Sequence, residues 1–203
     1  MLVLPIVLFL FAVLLLPLMV TGFAVDMVTI AVSKLGFAPG IALLLLIAII
    51  IGSTINLPLY EKPLRPAGLF WHQPTKVTLN VGGGLIPVLL ALYQFTQGHG
   101  IAILATTAIV TTVSYYAAQV VPGRGIRMNA MIAPLTAVVC AWILGAAAAP
   151  SVAFAGGILG TLIGADLLHL QEIERLSSGT LSIGGAGVLD GIALCGLFAL
   201  LLA

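Results

Sequence analysis

SVAFAGGILGTLIGADLLHLQEI, Ser151 to Ile173, is the stretch on which the fold turns. It is 23 residues long and carries no charge before Asp166. At about 1.5 Å per residue it is long enough to cross a hydrocarbon core of about 30 Å. Asp166 and His169 then stand in apolar surroundings. An ionised carboxylate at the bilayer centre costs about 2.5–3.5 kcal/mol on insertion scales, so such residues face the protein interior or water. The stretch reads as a membrane helix that keeps a polar group for a purpose.

The rest of the chain has the same character. Of 203 residues, 62% are hydrophobic and only 6% are Asp, Glu, Lys or Arg. A soluble domain carries about 25% charged residues. Mean hydropathy is +1.28. The net charge of +1 supplies no basic face for nucleic acid. Cys140 and Cys195 lie in apolar runs without metal-ligand spacing and read as small buried residues. No cofactor or metal is expected, and the length suits one transmembrane domain, 1–203.

An all-α membrane protein of seven spans is expected. The spans are Leu2 to Val25, Ala38 to Leu59, Lys76 to Phe95, Gly100 to Val121, Asn129 to Ala148, Ser151 to Ile173 and Ser182 to Ala203. The first lacks the basic flank of a signal peptide and reads as a retained helix. Asp26 to Phe37 reads as an interfacial segment. Loops are expected at Tyr60 to Thr75, with Trp71 at the interface, at Pro122 to Met128 and at Glu174 to Leu181. These loops and Lys76 hold six of the seven basic residues, Lys62, Arg65, Lys76, Arg124, Arg127 and Arg175, and the other side holds only Lys34. The positive-inside rule therefore places the chain in an inner or plasma membrane, N-terminus in the cytoplasm and C-terminus outside.

Two runs repeat in order. Ile51-Gly52-Ser53-Thr54 is similar to Ile163-Gly164-Ala165-Asp166, and Asn80-Val81-Gly82-Gly83-Gly84 is similar to Ser182-Ile183-Gly184-Gly185-Ala186. Ala38-Pro39 matches Ala149-Pro150. The implied layout is a parallel repeat, 1–99 and 129–203, joined by a linker helix, 100–121. Parallel-repeat transporters bind substrate between repeats. Gly82, Gly83, Gly184 and Gly185 either loosen the helix starts toward a cavity or permit close packing.

Asp166 and Asp190 lie on consecutive spans at similar depth, and are the expected catalytic or ion-binding pair. Gly156, Gly160 and Gly164 form a ridge that faces a different neighbour from Asp166. His169, three residues on, shares the Asp166 face in an α-helix and reads either as a proton relay or as an ordinary interface residue. A metal site from Asp166, His169 and Glu172 matches no strong spacing. Asn80 reads as an N-cap or as a cavity-lining amide. Asn56 and Thr54 occupy the region equivalent to Asp166, and Pro87 kinks the third span.

Asn80 through Pro87, Ile163 through Leu168, and Ser182 through Gly187 with Asp190-Gly191 together resemble the prokaryotic membrane family filed as domain of unknown function 1614. That resemblance implies a polytopic membrane protein and no particular activity. One aspartate on each of two consecutive helices is also similar in arrangement to presenilin-type intramembrane aspartyl proteases. The Gly-x-Gly-Asp of that family is absent here, since Gly187-Val188-Leu189 precedes Asp190. Three functions follow as expectations. The first is a small proton- or cation-coupled transporter, with Asn80, Asn56, Thr54, His169 and the glycines along the path. The second is an intramembrane aspartyl protease using Asp166 and Asp190. The third is a non-catalytic assembly partner. Partners are the lipid bilayer and an unspecified small solute, ion or membrane-helix substrate, with a homo-oligomer left open.

Overall fold

A computed structural model describes residues 3–62, 75–121, 125–176, 180–185 and 191–203. The chain is mostly helical. Three stretches among these residues are apolar and long enough to cross a membrane, Val13–Ser33, Gly100–Ala117 and Ala146–Glu174. Four shorter apolar helices accompany them, Pro39–Gly52, Val81–Phe95, Ile132–Leu144 and Ile192–Leu202.

Helix α1 runs unbroken over Val3–Ser33. The expected interfacial segment from Asp26 is therefore a continuation of the first helix. Nothing between Val25 and Ser33 breaks it, and Thr29 and Ser33 return their hydroxyls to the Val25 and Ile30 carbonyls. Its 31 residues span about 46 Å, more than a hydrocarbon core needs. The chain turns at Gly36, with φ +87°, and α2 occupies Pro39–Gly52.

The second span ends earlier than its hydropathy suggests. After Gly52 the chain turns and becomes strand β1, Asn56–Lys62. Pro58 cannot continue a helix. Its partner is β2, Thr75–Asn80, which takes the residues expected to open the third helix. The sequence explains this: Lys76-Val77-Thr78-Leu79-Asn80 alternates polar and apolar residues, and the β-branched Val77 and Thr78 suit a strand. Helical winding begins only at Val81. The first turn, Val81–Leu85, is π-wound and α3 follows over Ile86–Phe95.

Helix α4, Gly100–Ala117, gives way to a small hairpin, β3 (Gln119–Val121) with β4 (Gly125–Arg127). Within the expected loop Gly125–Arg127 is thus paired strand, and the end of the fourth span, Gln119–Val121, is strand as well. Helix α5 covers Ile132–Leu144, and a short 3-10 turn at Ala146–Ala148 leads to α6, Ala149–Thr161. A second π-wound segment, Leu162–Leu167, continues α6, and α7 completes this rod over Leu170–Leu176. Strand β5, Thr180–Ile183, and helix α8, Gly191–Leu202, follow. Trp71, Arg65, Arg124 and Asp190 lie outside the described residues.

The core is built around α6, most of which is buried, including Ala149, Val152 through Ile158, Gly160 and Thr161. It packs against α3, α4, α5 and α8. The expected glycine ridge is the seam with α4: a Cβ on Gly160 would lie 2.5 Å from Val110 Cβ, and one on Gly164 would lie 2.3 Å from the Thr111 carbonyl oxygen. On another side Gly157 faces Cys195 of α8 and Ala137 of α5. Both cysteines are buried free thiols.

Strands gather at one end of the bundle. The sheet order is β1-β2-β5, antiparallel between β1 and β2 and parallel between β2 and β5, with Lys76 opposite Thr180 and Leu79 opposite Ile183. The parallel pairing has a simple origin: both strands run toward helices that leave from the same end. Strand β3 packs against α7, and the Tyr60 hydroxyl donates to the Glu174 carboxylate. The strands and α7 therefore share one end of the protein. At the opposite end Lys34 Nζ donates to the Leu200 carbonyl at 2.9 Å. A cation there suits the negative end of α8.

Candidate functional site

Two junctions collect the polar residues singled out in the sequence. The first is where β2 becomes the third helix. Asn80 is fully buried and serves as N-cap, its Oδ1 accepting from Gly83 N at 2.7 Å. Its amide donates to the Ser53 carbonyl at 2.8 Å and to Asn56 Oδ1 at 3.1 Å. One side chain thus ties the end of α2, the start of β1 and the first turn of the third helix. The capping role expected of Asn80 is the one its contacts satisfy.

Ser182, not singled out in the sequence as a site residue, joins this network. Its Oγ lies 3.0 Å from Asn56 Oδ1 and 3.0 Å from the Gly185 carbonyl, and its single proton serves one of them at a time. The signal for it was its alignment with Asn80 in the repeat. The strand register pairs Ser182 with Thr78 instead, two residues away. Thr54 stays outside the network, exposed, with its hydroxyl on the Ile51 carbonyl.

The glycine runs meet here. Gly82 packs so closely on α2 that a Cβ would lie 2.1 Å from the Ile49 carbonyl oxygen. Gly184, at φ +78°, would put a Cβ 2.6 Å from Gly84 Cα. At Gly82 and Gly184 the backbone is closely packed.

The second junction is the π-wound end of α6. Asp166 is half-buried within Leu162–Leu167. A π-turn rotates the chain less per residue than an α-turn, so Asp166 does not sit where an unbroken helix would point it. His169 is buried, and its Nδ1 lies 3.1 Å from both the Gly164 and the Ala165 carbonyl oxygens. Both partners only accept, so Nδ1 carries the proton. The ring stacks on Tyr115 of α4 with centroids 4.7 Å apart. His169 therefore closes the π-turn and docks it to α4. Glu172 is exposed, and among the described residues no group of three His, Cys, Asp or Glu is placed to hold a metal.

Tyr60 and Glu174 clasp the sheet to α7 outside the apolar spans. Burial, the Glu174 hydrogen bond and its negative charge push the Tyr60 hydroxyl up to about 12. Neither residue was singled out in the sequence, where both read as loop.

The family model described as "Protein of unknown function (DUF1614)" matches residues 50–202. The chain belongs to the DUF1614 family. The match begins at the end of α2 and covers both π-turns, the sheet and α8. Neither a curated protein nor a solved structure matches this DUF1614 chain. The likeness to presenilin-type proteases is carried by none of these findings. Asp190, on which that likeness also depends, lies outside the described residues.

Proposed function

We propose that this DUF1614 protein is a small membrane transporter coupled to protons or cations, with Asp166 as its coupling acid. The observation that carries the reading is the position of Asp166: half-buried, on a π-wound segment of the most buried long apolar stretch. An acid within an apolar span is costly and marks ion pathways, and π-turns inside helices concentrate at functional sites. Interrupted helices are also where transporters hold their ions. In this reading the chain crosses the inner membrane seven times. The basic, strand-bearing end faces the cytoplasm, the N-terminus lies inside and the C-terminus outside. Asp190, one span on, is the second acid.

The parallel repeat, 1–99 and 129–203 around 100–121, is part of the same proposal. Parallel strands β2 and β5 leading to the third and seventh spans support it, as does the contact between Gly84 and Gly184. The lipid bilayer is the partner, and the cargo is a small solute or ion.

The test is flux in liposomes containing the purified full-length protein and a trapped pH dye, with a proton gradient imposed. Asp166→Asn abolishes the protein-dependent signal, and Asp166→Glu retains part of it. Equal flux in wild type and Asp166→Asn ends the reading.

A further inference from the structure

The hydroxyls of the helices fall into two groups. Thr21, Thr29, Thr112 and Thr136 each donate to the carbonyl four residues earlier. A helix satisfies a hydroxyl this way without help from water. Thr106, Thr107 and Ser114 on α4 do not, and Thr161 on α6 has only the weak Cys195 thiol as a partner. The oxygens of Thr106, Thr107 and Ser114 are buried and meet no hydrogen-bond partner among the described residues. The same is true of both amide atoms of Gln94, which is fully buried near the end of α3.

Leaving this many buried polar atoms unmet would cost a large share of a protein's net stability. Interiors bond such groups to protein or to ordered water. The open groups are also ordered in depth. Gln94 lies at the end opposite the strands, beside Tyr93, whose ring meets Phe37. Thr106 and Thr107 lie about 10 Å along α4, and Ser114 about 10 Å further. Thr161 falls between them, because its neighbour Gly160 faces Val110 and the Thr107 carbonyl. Ser114 is then beside Gly164 and one residue from Tyr115, the ring that carries His169. The row ends at the π-turn that holds Asp166.

We propose that Gln94, Thr106, Thr107, Thr161 and Ser114 line a narrow hydrated path along the α3–α4–α6 seam that carries protons between the Gln94 end and Asp166. The inference rests on the transporter reading and names its coupling ion. Packing sets the size of the guest: Gly156 and Gly160 bring α6 so close to Thr106 and Val110 that a Cβ on either would lie 2.5 Å away. The helices touch at these glycines, so water sits only beside the open hydroxyls and amide, and no organic solute passes.

The experiment has two arms on the full-length protein in liposomes. In the first, Gln94→Leu, Thr107→Val and Ser114→Ala are combined and proton flux is read with a trapped pH dye. Flux falls about tenfold or more, the loss expected when barriers rise by one ordinary hydrogen bond. Thr112→Val and Thr136→Val, whose hydroxyls close on their own helices, stay near wild type. In the second arm, Cys140→Ala and Cys195→Ala provide a thiol-free background for Thr107→Cys, Thr161→Cys, Ser114→Cys and, as a dry control, Val138→Cys. Silver ion is added to the folded protein, and the thiols left unmodified are counted with maleimide after denaturation. Silver reaches positions 107, 161 and 114 and spares 138. Silver excluded from all three, with wild-type flux intact and sensitive to Asp166→Asn, overturns the path and leaves the transporter standing. Silver access with flux indifferent to the combined variant overturns the proton route. Silver access with no wild-type flux removes the transporter and, with it, protons as the coupling ion.

Discussion

The two π-turns make an informative pair. Each begins or ends an apolar helix, and each is pressed against a neighbour by glycine: Gly82 against α2, Gly164 against α4. They differ in what completes them. At Val81–Leu85 a fully buried asparagine caps the turn, with its donors and its acceptor all engaged. At Leu162–Leu167 the closing group is an imidazole beside a half-buried acid. A polar network with every bond met rigidifies a structure. An ionisable group in an apolar span is kept at a cost, and function is the usual reason. The same backbone device thus serves as an anchor in one half of the molecule and, in our reading, as a working part in the other. The turns also fall at inequivalent places in the proposed repeat, one opening the third span and one closing the sixth.

The sharpest way to break this comparison is to fill the glycines. Gly82→Ala puts a methyl 2.1 Å from the Ile49 carbonyl oxygen and 2.4 Å from Ser53 N, both backbone atoms that have no room to give. Overpacking of this kind costs about 3 kcal/mol or more. Gly164→Ala meets the Thr111 carbonyl oxygen at 2.3 Å and carries a similar cost. Both variants are expected to lose folded yield in detergent, read as the monodisperse fraction on size exclusion, and a wild-type yield for either would show that its seam is looser than described.

Next in size is the anchor itself. Asn80→Ala removes the cap from Gly83 N and leaves the Ser53 carbonyl without its donor. Loss of a cap costs about 1 kcal/mol and an unmet buried group about 1–3 kcal/mol. Thermal unfolding in detergent should move down accordingly, while flux per folded molecule stays unchanged. Asp166→Asn should do the reverse, with little change in the unfolding curve and no flux. If Asn80→Ala abolished flux in fully folded protein, the division between anchor and working part would fail.

The helices were legible in the sequence because long uncharged apolar runs favour helices that satisfy their own backbone in lipid. The strands were not. Ile55 to Leu59 continues the hydrophobicity of α2, so the change of period at Asn56 is hidden inside one long run, and only Pro58 marks it. Thr75 to Asn80 alternates clearly, yet it leads without a break into Val81 and the glycines, which pulls the reading toward helix. Asn80 was legible as a cap from its place ahead of the glycine run. Its link to Asn56, and from there to Ser182, was not, because Asn56 and Ser182 are 126 positions apart and meet only through the sheet. The π-winding at Leu162–Leu167 carries no spacing signature, so His169 was placed on the face that an α-helix would give it.

The smallest effect belongs to the clasp that holds the strand end to α7, and its sign is fixed by linkage. Tyr60 titrates near 10 when unfolded and is pushed up to about 12 by burial, then by the bond to Glu174 and its charge. A raised folded value means that the neutral phenol is favoured in the native state. Its stabilising contribution is complete below about pH 10 and is lost as pH rises through about 12. Tyr60 is also 39% exposed, so solvent screening keeps the contribution small. Tyr60→Phe should therefore lower stability slightly at neutral pH and flatten the loss seen in that alkaline window, measured by thermal unfolding in detergent across the range. An unchanged alkaline slope in the variant would show that another group sets it, and that this phenol does not hold the sheet to α7.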